Sequence, residues 1–453
     1  MVNTHKRLPA GAKVLYGVAD CGIAMLTATL QFFLLFFYTD VLGLDPGLTG
    51  TALMVGKLTW DAINDPVFGY WSDRVKTRLG RRRPFMLFGA IPLGLVTWMV
   101  FSLPGGLQGA TAFFAVLGSF LLFDTFHTFV SVPYYSLTPE LTHDYDERTS
   151  LTTVRMAFSV VGYILGAAAT PVITGLFQDM LGWTRQAAYS GMGGVLGLIA
   201  ATTVLVTALG VRERAPDGVQ PSRLPPISAL VQTLRNRPFL RLMAAFCISS
   251  FSFALMTSLV PYYLTYQLDM EKQVPLVLLI MLATVGIFLY PWKVVSDRTN
   301  KGPAYALGLF LASVAVIGAF FLPRGPTPLI YVLAFVAGVG FSAQWVFPWS
   351  MLPDVVEYDQ KETGERREGT YYGVWALLNK FANALGVAVS GWSLDLFGYV
   401  PGVPQTDLSL LGIRLFFGLV PSIILILSLP LLLWYPITRA SHAQLLAQLE
   451  QKG

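Results

Sequence analysis

The chain has 453 residues, of which 54% are hydrophobic and only 13% charged, with a formal net charge of +5. Soluble domains carry about 25% charged residues, so this composition excludes an ordinary soluble fold. A mean hydropathy of +0.58 and recurring apolar runs of about 20 residues, each able to cross ~30 Å of hydrocarbon, predict a polytopic helical membrane protein. The net positive charge does not call for a nucleic-acid partner, because basic loops that orient the helices in the membrane account for this charge.

Hydropathy along the chain predicts an all-α membrane protein with twelve transmembrane helices in two pseudo-symmetric six-helix bundles. The spans are residues 14–41, 47–71, 85–104, 110–137, 151–178, 187–210, 241–267, 274–294, 303–322, 328–351, 370–398 and 408–435. Of the 31 Lys and Arg residues, 24 fall in the tails and even-numbered loops, four in odd-numbered loops and three within spans. This asymmetry predicts a multi-pass protein of the plasma (inner) membrane with both termini in the cytoplasm.

The two halves of the chain repeat short motifs. YWSDR (70–74) leaves span two and VVSDR (294–298) leaves span eight, 224 residues later, while VPYYSLTPE (132–140) and FPWSMLPDV (347–355) end spans four and ten. Such repeats are typical of transporters that bind ion and substrate near the membrane midplane. The predicted domains are an N-terminal bundle with the cation site (1–210), a cytoplasmic linker (211–240), a C-terminal bundle (241–438) and a cytoplasmic tail (439–453).

Two aspartates and an asparagine interrupt the apolar pattern of span two. Asp61 and Asp65 are four residues apart and share a helix face with Asn64. Each ionised carboxylate costs roughly 2.5–3.5 kcal/mol at the bilayer centre, and a small cation between them removes both penalties. Oxygen ligands favour hard cations. Protonation of one acid would also remove the repulsion between the two carboxylates, so the pattern predicts a Na⁺, Li⁺ or H⁺ site. The alternative is a structural ion pair of Asp61 with Lys57.

The repeat supplies an internal control for these acids. A shift of 224 residues places Val285, Phe288 and Leu289 at the three polar positions of span two, so building the equivalent helix requires no carboxylates. The Ser-Asp-Arg exits occur in both halves, which favours a role in scaffolding and gating through charge pairs at the cytoplasmic face. The predicted gating residues are Asp73, Arg74, Arg148, Asp297, Arg298, Asp354 and Glu357.

Other charged residues within spans mark a transport pathway, because such residues usually face the bundle interior. Asp20, Asp124, Arg155 and Lys380 are of this kind, with pairing of Asp124 and Arg155 as the structural alternative. His127 is either a satisfied interior histidine or a proton carrier. No enzyme is predicted, because the Asn-Asp start of NDPVFGYWSD lacks the repeated acids of a metal–diphosphate site. A sensor with a transporter fold stays open.

Three long segments resemble signature motifs of the melibiose-permease-like glycoside–pentoside–hexuronide:cation symporters of the major facilitator superfamily. They are WDAINDPVFGYWSDRVKTRLGRRRPF, VPYYSLTPELTHDYDERTSL and MLPDVVEYDQKETGERREGTYYGVWALLNKFANALG. PWSMLPDV and SLDLFGY are also similar to segments of the animal sodium-dependent lysophosphatidylcholine symporters of this family. The resemblance implies the major facilitator fold and cation-coupled symport of a sugar or glycoside, with an amphipathic lipid such as a lysophospholipid as the alternative substrate.

The resemblance also implies site residues. Asp61 and Asp65 match the family's cation-binding carboxylates, Asn64 lies between them, and Thr128 matches a threonine near the same site. The two acids that hold galactosides in the family correspond to Ala24 and Ser131 here, so the resemblance does not by itself imply a galactoside site of that type. The expected substrate residues are Asp20, Asp124, His127, Ser131, Tyr135, Arg155, Trp345 and Lys380. Na⁺ is the expected ion, with H⁺ or Li⁺ as alternatives, and we expect a monomer in membrane lipid without any other cofactor.

Overall fold

The computed structural model describes residues 8–75, 77–141, 145–211, 233, 235–363 and 368–450. Within these residues the chain is helical and forms no β-sheet, apart from one isolated bridge between Thr77 and Gly80. The helices are α1 (Ala10–Phe36), α2 (Pro46–Gly56), α3 (Ala62–Arg74), α4 (Arg83–Val100), α5 (Gly109–Ser136), α6 (Thr138–Leu141), α7 (Tyr145–Leu181), α8 (Arg185–Gly210), α9 (Arg237–Tyr262), α10 (Val274–Thr299), α11 (Lys301–Phe320), α12 (Leu329–Thr363), α13 (Glu368–Leu396), α14 (Asp407–Arg414), α15 (Val420–Leu433) and α16 (Arg439–Glu450).

Side-chain caps begin four of these helices. Asp45 Oδ1 accepts a hydrogen bond from the Leu48 N–H at 2.7 Å ahead of α2. Thr184, Asn236 and Thr406 accept equivalent bonds at the starts of α8, α9 and α14. Each cap satisfies a backbone donor that the first helical turn leaves without a partner.

Short π-helical turns extend or join several helices. Phe37–Val41 continues α1, Tyr263–Gln267 continues α9, and Leu415–Leu419 joins α14 to α15. A fourth turn, Lys57–Asp61, joins α2 to α3, so the two form one helical run over predicted span two. Turns of this kind are uncommon and occur frequently at functional sites.

Every predicted span overlaps a helix or a helical run, but several helices are longer than hydropathy indicated. The helix over span five is α7 (Tyr145–Leu181), and the helix over span ten is α12, which continues past Pro348 and Pro353 to Thr363. Within the described residues, ten helical runs are long and apolar enough to cross a membrane. The runs over spans two and eleven are not among the ten, so the count of twelve spans stays a prediction.

The helices divide between two compact units. The first contains Met1–Val219 with Lys272–Leu276 and Tyr399–Pro404, and the second contains Gln220–Glu271, Val277–Gly398 and Gln405–Gly453. In the first unit α1 packs on α7 and α8, and α4 packs on α5 and α8. In the second unit the corresponding helices pack alike, α9 on α13 and α15 and α11 on α12 and α15. The packing therefore repeats together with the sequence motifs. The predicted linker lies largely outside the described residues.

A glycine contact sets the approach of α4 and α8. A Cβ atom added at Gly197 would lie 2.4 Å from the Gly94 carbonyl oxygen, closer than any side chain tolerates. Small residues at such crossings are typical of membrane helices, since they let backbones pack directly. This contact positions α4, which in turn supports α5 and its polar residues.

Candidate cation and substrate sites

The backbone of span two is irregular around its acids. The π-helical turn Lys57–Asp61 ends at the first carboxylate, and Pro66 directly follows the second. Because proline has no N–H, the carbonyl four residues earlier, that of Ala62, receives no helical hydrogen bond from position 66. Non-regular backbone at membrane depth is tolerated where it is buried in protein or lines a cavity. The polar side chains therefore lie on a stretch with spare backbone acceptors.

Three side-chain hydrogen bonds join this stretch to α5. Asn64 Nδ2 donates to Asp124 Oδ2 at 3.2 Å, and Thr128 Oγ1 donates to Asp65 Oδ1 at 3.2 Å. At the preceding turn Trp60 Nε1 donates to Thr125 Oγ1 at 2.8 Å. Asn64, Asp124 and Thr128 are buried, whereas Asp61 and Asp65 are partly buried. The structure thus brings the predicted residues Asn64, Asp65 and Thr128 together.

The equivalent helix of the second half also contains a proline, Pro291, but it lacks the π-helical turn. The stretch equivalent to the π-helical turn, residues 281–285, is regular α-helix within α10. Val285 is 2% exposed, and Phe288 and Leu289 are partly buried apolar residues. Both the carboxylates and the backbone turn that presents them therefore belong to the first half alone.

A second polar cluster joins α1, α5 and α7. Asp20 is only 2% exposed, and its carboxylate accepts a hydrogen bond from the Tyr135 hydroxyl at 3.2 Å. Arg155 Nε lies 3.9 Å from Asp20 Oδ2, an ion pair that is too long for a hydrogen bond, and that Nε atom has no hydrogen-bond partner. The guanidinium carbon lies 5.1 Å from the centre of the Tyr135 ring. Arg155 therefore pairs with Asp20, and the alternative pairing with Asp124 was wrong.

One face of α5 carries residues of both clusters. Asp124, Thr128, Ser131 and Tyr135 follow a spacing of four, three and four residues, which places them on a single stripe. At 1.5 Å per residue the stripe spans about 16 Å. Ser131 is buried on this stripe, and Tyr135 is 42% exposed at its end. A single helix therefore contacts Asn64 and Asp65 of span two and also the ion pair of α1 and α7.

The remaining predicted substrate residues are placed as follows. His127, also on α5, stacks on Phe123 with ring centres 5.5 Å apart. Trp345 on α12 and Lys380 on α13 are partly buried in the second unit. Next to Lys380, Asn383 Nδ2 donates to Asn379 Oδ1 at 3.0 Å. Their part in substrate binding stays a prediction.

The predicted gating acids of the second unit bind the C-terminal helix α16. His442 Nε2 lies 2.6 Å from Glu357 Oε2 and 3.7 Å from Asp354 Oδ1. Asp354 also pairs with Lys301 at 2.6 Å, and Arg439 Nη2 lies 3.5 Å from Asp297 Oδ1. Sequence reasoning missed His442 and Arg439, because the tail carried no motif of its own.

The exit motif of the first unit packs against its own basic loop. Arg82 Nη1 donates to Ser72 Oγ, and the Arg74 guanidinium lies 3.2 Å from the centre of the Tyr70 ring. Arg298, the matching arginine of the second half, is exposed. The side chains of Asp73 and Arg148 lie outside the described part of the structure. The role of these residues in gating stays a prediction.

One buried ion pair was not anticipated from the sequence. Arg185 Nη1 lies 2.8 Å from Asp40 Oδ2 at the ends of α8 and α1, and the Asp40 side chain is fully buried. Arg185 had been counted only as a loop charge, and Asp40 lies at the polar end of a span, where acids are common. In the described residues no group of three or more His, Cys, Asp or Glu side chains forms a metal site.

The chain belongs to the MFS/sugar transport protein family, whose sequence profile matches residues 15–439. It is therefore a multi-pass membrane protein of a transporter class. An uncharacterized symporter of Synechocystis sp. is 32% identical, covering 99% of this chain and 98% of its own. The sodium-dependent lysophosphatidylcholine symporter 1 of Mus musculus is 28% identical, covering 95% and 86%.

Solved structures agree on the fold. A bacterial homolog of the human lysosomal transporter Spinster matches with a TM-score of 0.69 at 13% identity, covering 95% of this chain and 96% of its own. The peptide transporter POT matches with a TM-score of 0.64 at 16% identity, covering 94% of each chain. The prediction of an all-α membrane protein with the major facilitator fold is confirmed.

Proposed function

We propose that this protein is a secondary active transporter that couples a cation to the import of a small organic substrate by alternating access. The cation binds at Asp61, Asn64, Asp65 and Thr128. The observation that carries this assignment is the pair of hydrogen bonds between α3 and α5, which gathers hard oxygen and amide ligands on an irregular membrane helix. Carboxylates at this depth are costly without a counter-charge, and a bound cation supplies one.

Na⁺ is the proposed coupling ion, with H⁺ or Li⁺ as the alternatives. The mouse relative is named as sodium-dependent, and two of the four proposed ligands are carboxylates, which suit a hard monovalent cation. Lys57 lies in the same π-helical turn as Asp61 and takes the place of the cation when the site is empty. The protein acts as a monomer in the plasma (inner) membrane with cytoplasmic termini.

The proposed substrate is a sugar or glycoside that contacts the cluster of Asp20, Tyr135 and Arg155. A buried carboxylate and guanidinium hold hydroxyl groups, and the exposed ring of Tyr135 offers a flat apolar face. The family description as a sugar transport protein supports this class. A lysophospholipid is the alternative, supported by the name of the mouse relative and by the capacity of Arg155 to pair with a phosphate.

Coupling between ion and substrate runs along the polar stripe of α5. Cation binding to Asp65 and Thr128 fixes α3 against α5, and the same helix carries Ser131 and Tyr135 toward the substrate cluster. Each ligand then raises the affinity of the other by an equal, reciprocal free energy, typically ~1–3 kcal/mol.

Uptake into proteoliposomes tests the proposal. Vesicles holding the purified chain are given an inward Na⁺ or H⁺ gradient and screened with glycosides, uronides and lysophospholipids. We expect accumulation of one class that collapses with the gradient and is lost in Asp65→Asn. Asp45→Asn is the matched control, since Asp45 is an exposed helix cap and Asn caps equally well. Gradient-driven uptake that survives in Asp65→Asn contradicts the cation site.

A further inference from the structure

Asp124, one of the predicted substrate residues, has its carboxylate beside the proposed cation residues. Asp124 is 7% exposed, and its Oδ2 accepts the hydrogen bond from Asn64 Nδ2 at 3.2 Å. An ionised carboxylate only accepts hydrogen bonds, whereas an amide has one donor end and one acceptor end. Asp124 therefore selects the amide orientation in which nitrogen faces α5 and the oxygen Oδ1 faces away from that carboxylate.

We propose that Asp124 is a positioning residue of the cation site, which holds the Asn64 amide so that its oxygen is presented to the cation. The inference rests on the proposed function, since it takes the cation to bind at Asn64 and Asp65. Partners of this kind orient metal ligands in proteins, and their loss typically weakens metal affinity by about 10–100-fold.

The geometry of α5 supports this role. Asp124 and Thr128 are one helical turn apart, and their partners Asn64 and Asp65 are adjacent on α3. The two hydrogen bonds therefore act on consecutive ligands of one site. Thr128 donates to its partner whereas Asp124 accepts from its partner, so the pair orients one carboxylate and one amide.

The internal repeat again serves as a control. Aligning the prolines of the two span-end motifs, Pro133 and Pro348, places Val339 against Asp124 and Ala343 against Thr128. The second half thus lacks both the carboxylate at the position of Asp124 and the proposed cation ligands. A general structural need of this helix does not explain Asp124, because its repeat is built without a charge at that position.

Substitutions at position 124 separate orientation from charge. Asp124→Asn removes the charge but keeps an oxygen that accepts from Asn64, whereas Asp124→Ala removes both. If Asp124 acts through the Asn64 amide, the Ala variant binds Na⁺ about tenfold or more weaker than the Asn variant. In an Asn64→Ala background, the difference between the two variants disappears.

The measurement is the apparent Kd for Na⁺, taken from the salt dependence of thermal unfolding of the full-length chain in detergent, with no substrate present. Equal Kd values for Asp124→Ala and Asp124→Asn, or a difference that persists in the Asn64→Ala background, overturn the proposal. If Asp124→Ala does not fold, Asp124→Leu replaces it with a side chain that branches at Cγ as Asp does and also lacks an acceptor.

Asp65→Asn is the arm that tests the site itself. Loss of the Na⁺ response in Asp65→Asn together with indistinguishable Asp124 variants rejects only the positioning role. A wild-type Na⁺ response in Asp65→Asn instead rejects the cation site and with it the proposed function.

Discussion

Removing the charge of Asp20 tests whether the cluster of α1, α5 and α7 is held by its ion pair. Asp20→Asn keeps the shape of the side chain and an oxygen that accepts from the Tyr135 hydroxyl, so the main loss is the attraction to Arg155. At the 3.9 Å separation between Arg155 Nε and Asp20 Oδ2, an effective dielectric constant of about 20 gives a Coulomb energy of about 4 kcal/mol.

The cost of the substitution exceeds that of a surface pair because the partner remains buried. The Asp20 side chain is 3% exposed and the Arg155 side chain 20%, so water compensates the guanidinium poorly. Breaking a buried pair by removing one partner typically destabilises by about 3–5 kcal/mol. We expect Asp20→Asn to lower the free energy of unfolding by about 3 kcal/mol.

A double-mutant cycle measures the coupling. Unfolding in detergent, followed by tryptophan fluorescence, is compared for Asp20→Asn, Arg155→Gln and the double variant. We expect the double variant to be far more stable than the sum of the single effects predicts, because it leaves no unpaired charge. Asp45→Asn again controls for the change in net charge. Effects that add within about 0.5 kcal/mol refute a coupled pair.

Three further predictions follow from other contacts. Thr128→Val removes the hydroxyl that donates to Asp65 and raises the Kd for Na⁺ about fivefold, equivalent to ~1 kcal/mol. Thr128→Ser retains the hydroxyl donor and the wild-type Kd. Gly197→Ala lowers unfolding stability by about 1–3 kcal/mol by its clash with Gly94, while Gly118→Ala, with nothing within 4 Å, does not. His442→Ala speeds limited proteolysis of α16 several-fold, because Glu357 loses its partner, and Gln444→Ala leaves the rate unchanged.

Hydropathy and the internal repeat predicted the membrane fold and where its helices fall. The predicted helix ends were less accurate, because hydropathy registers only the apolar part of a helix. Helix α12, for example, continues through polar residues to Thr363. Pro348 and Pro353 do not end α12. A proline breaks a helix only by removing one bond and crowding one carbonyl, and packing in a long helix offsets this.

Within the site, spacing identified the residues on one helix face but not their partners on other helices. Spacings of three and four residues place Asn64 and Asp65 on the helix face of Asp61, and the structure joins both residues to α5. The sequence could not decide whether Arg155 pairs with Asp20 or Asp124, because both are acids within spans. The structure shows that the partner is Asp20. The contacts of His442 on α16 with Asp354 and Glu357 also join residues far apart in the chain, and no local sequence pattern indicates them.

The polar character of span two has a consequence for how the protein is made. Its helical run is not among the ten that are apolar enough to cross a membrane, and each central aspartate adds roughly 2.5–3.5 kcal/mol to the cost of entering lipid from the translocon. The nascent segment is therefore a poor independent insertion signal. We expect it to enter the bilayer together with neighbouring spans, and the basic cluster after Arg74 favours the predicted cytoplasmic exit. The aspartates that we propose as cation ligands are thus expected to make insertion of the N-terminal bundle cooperative.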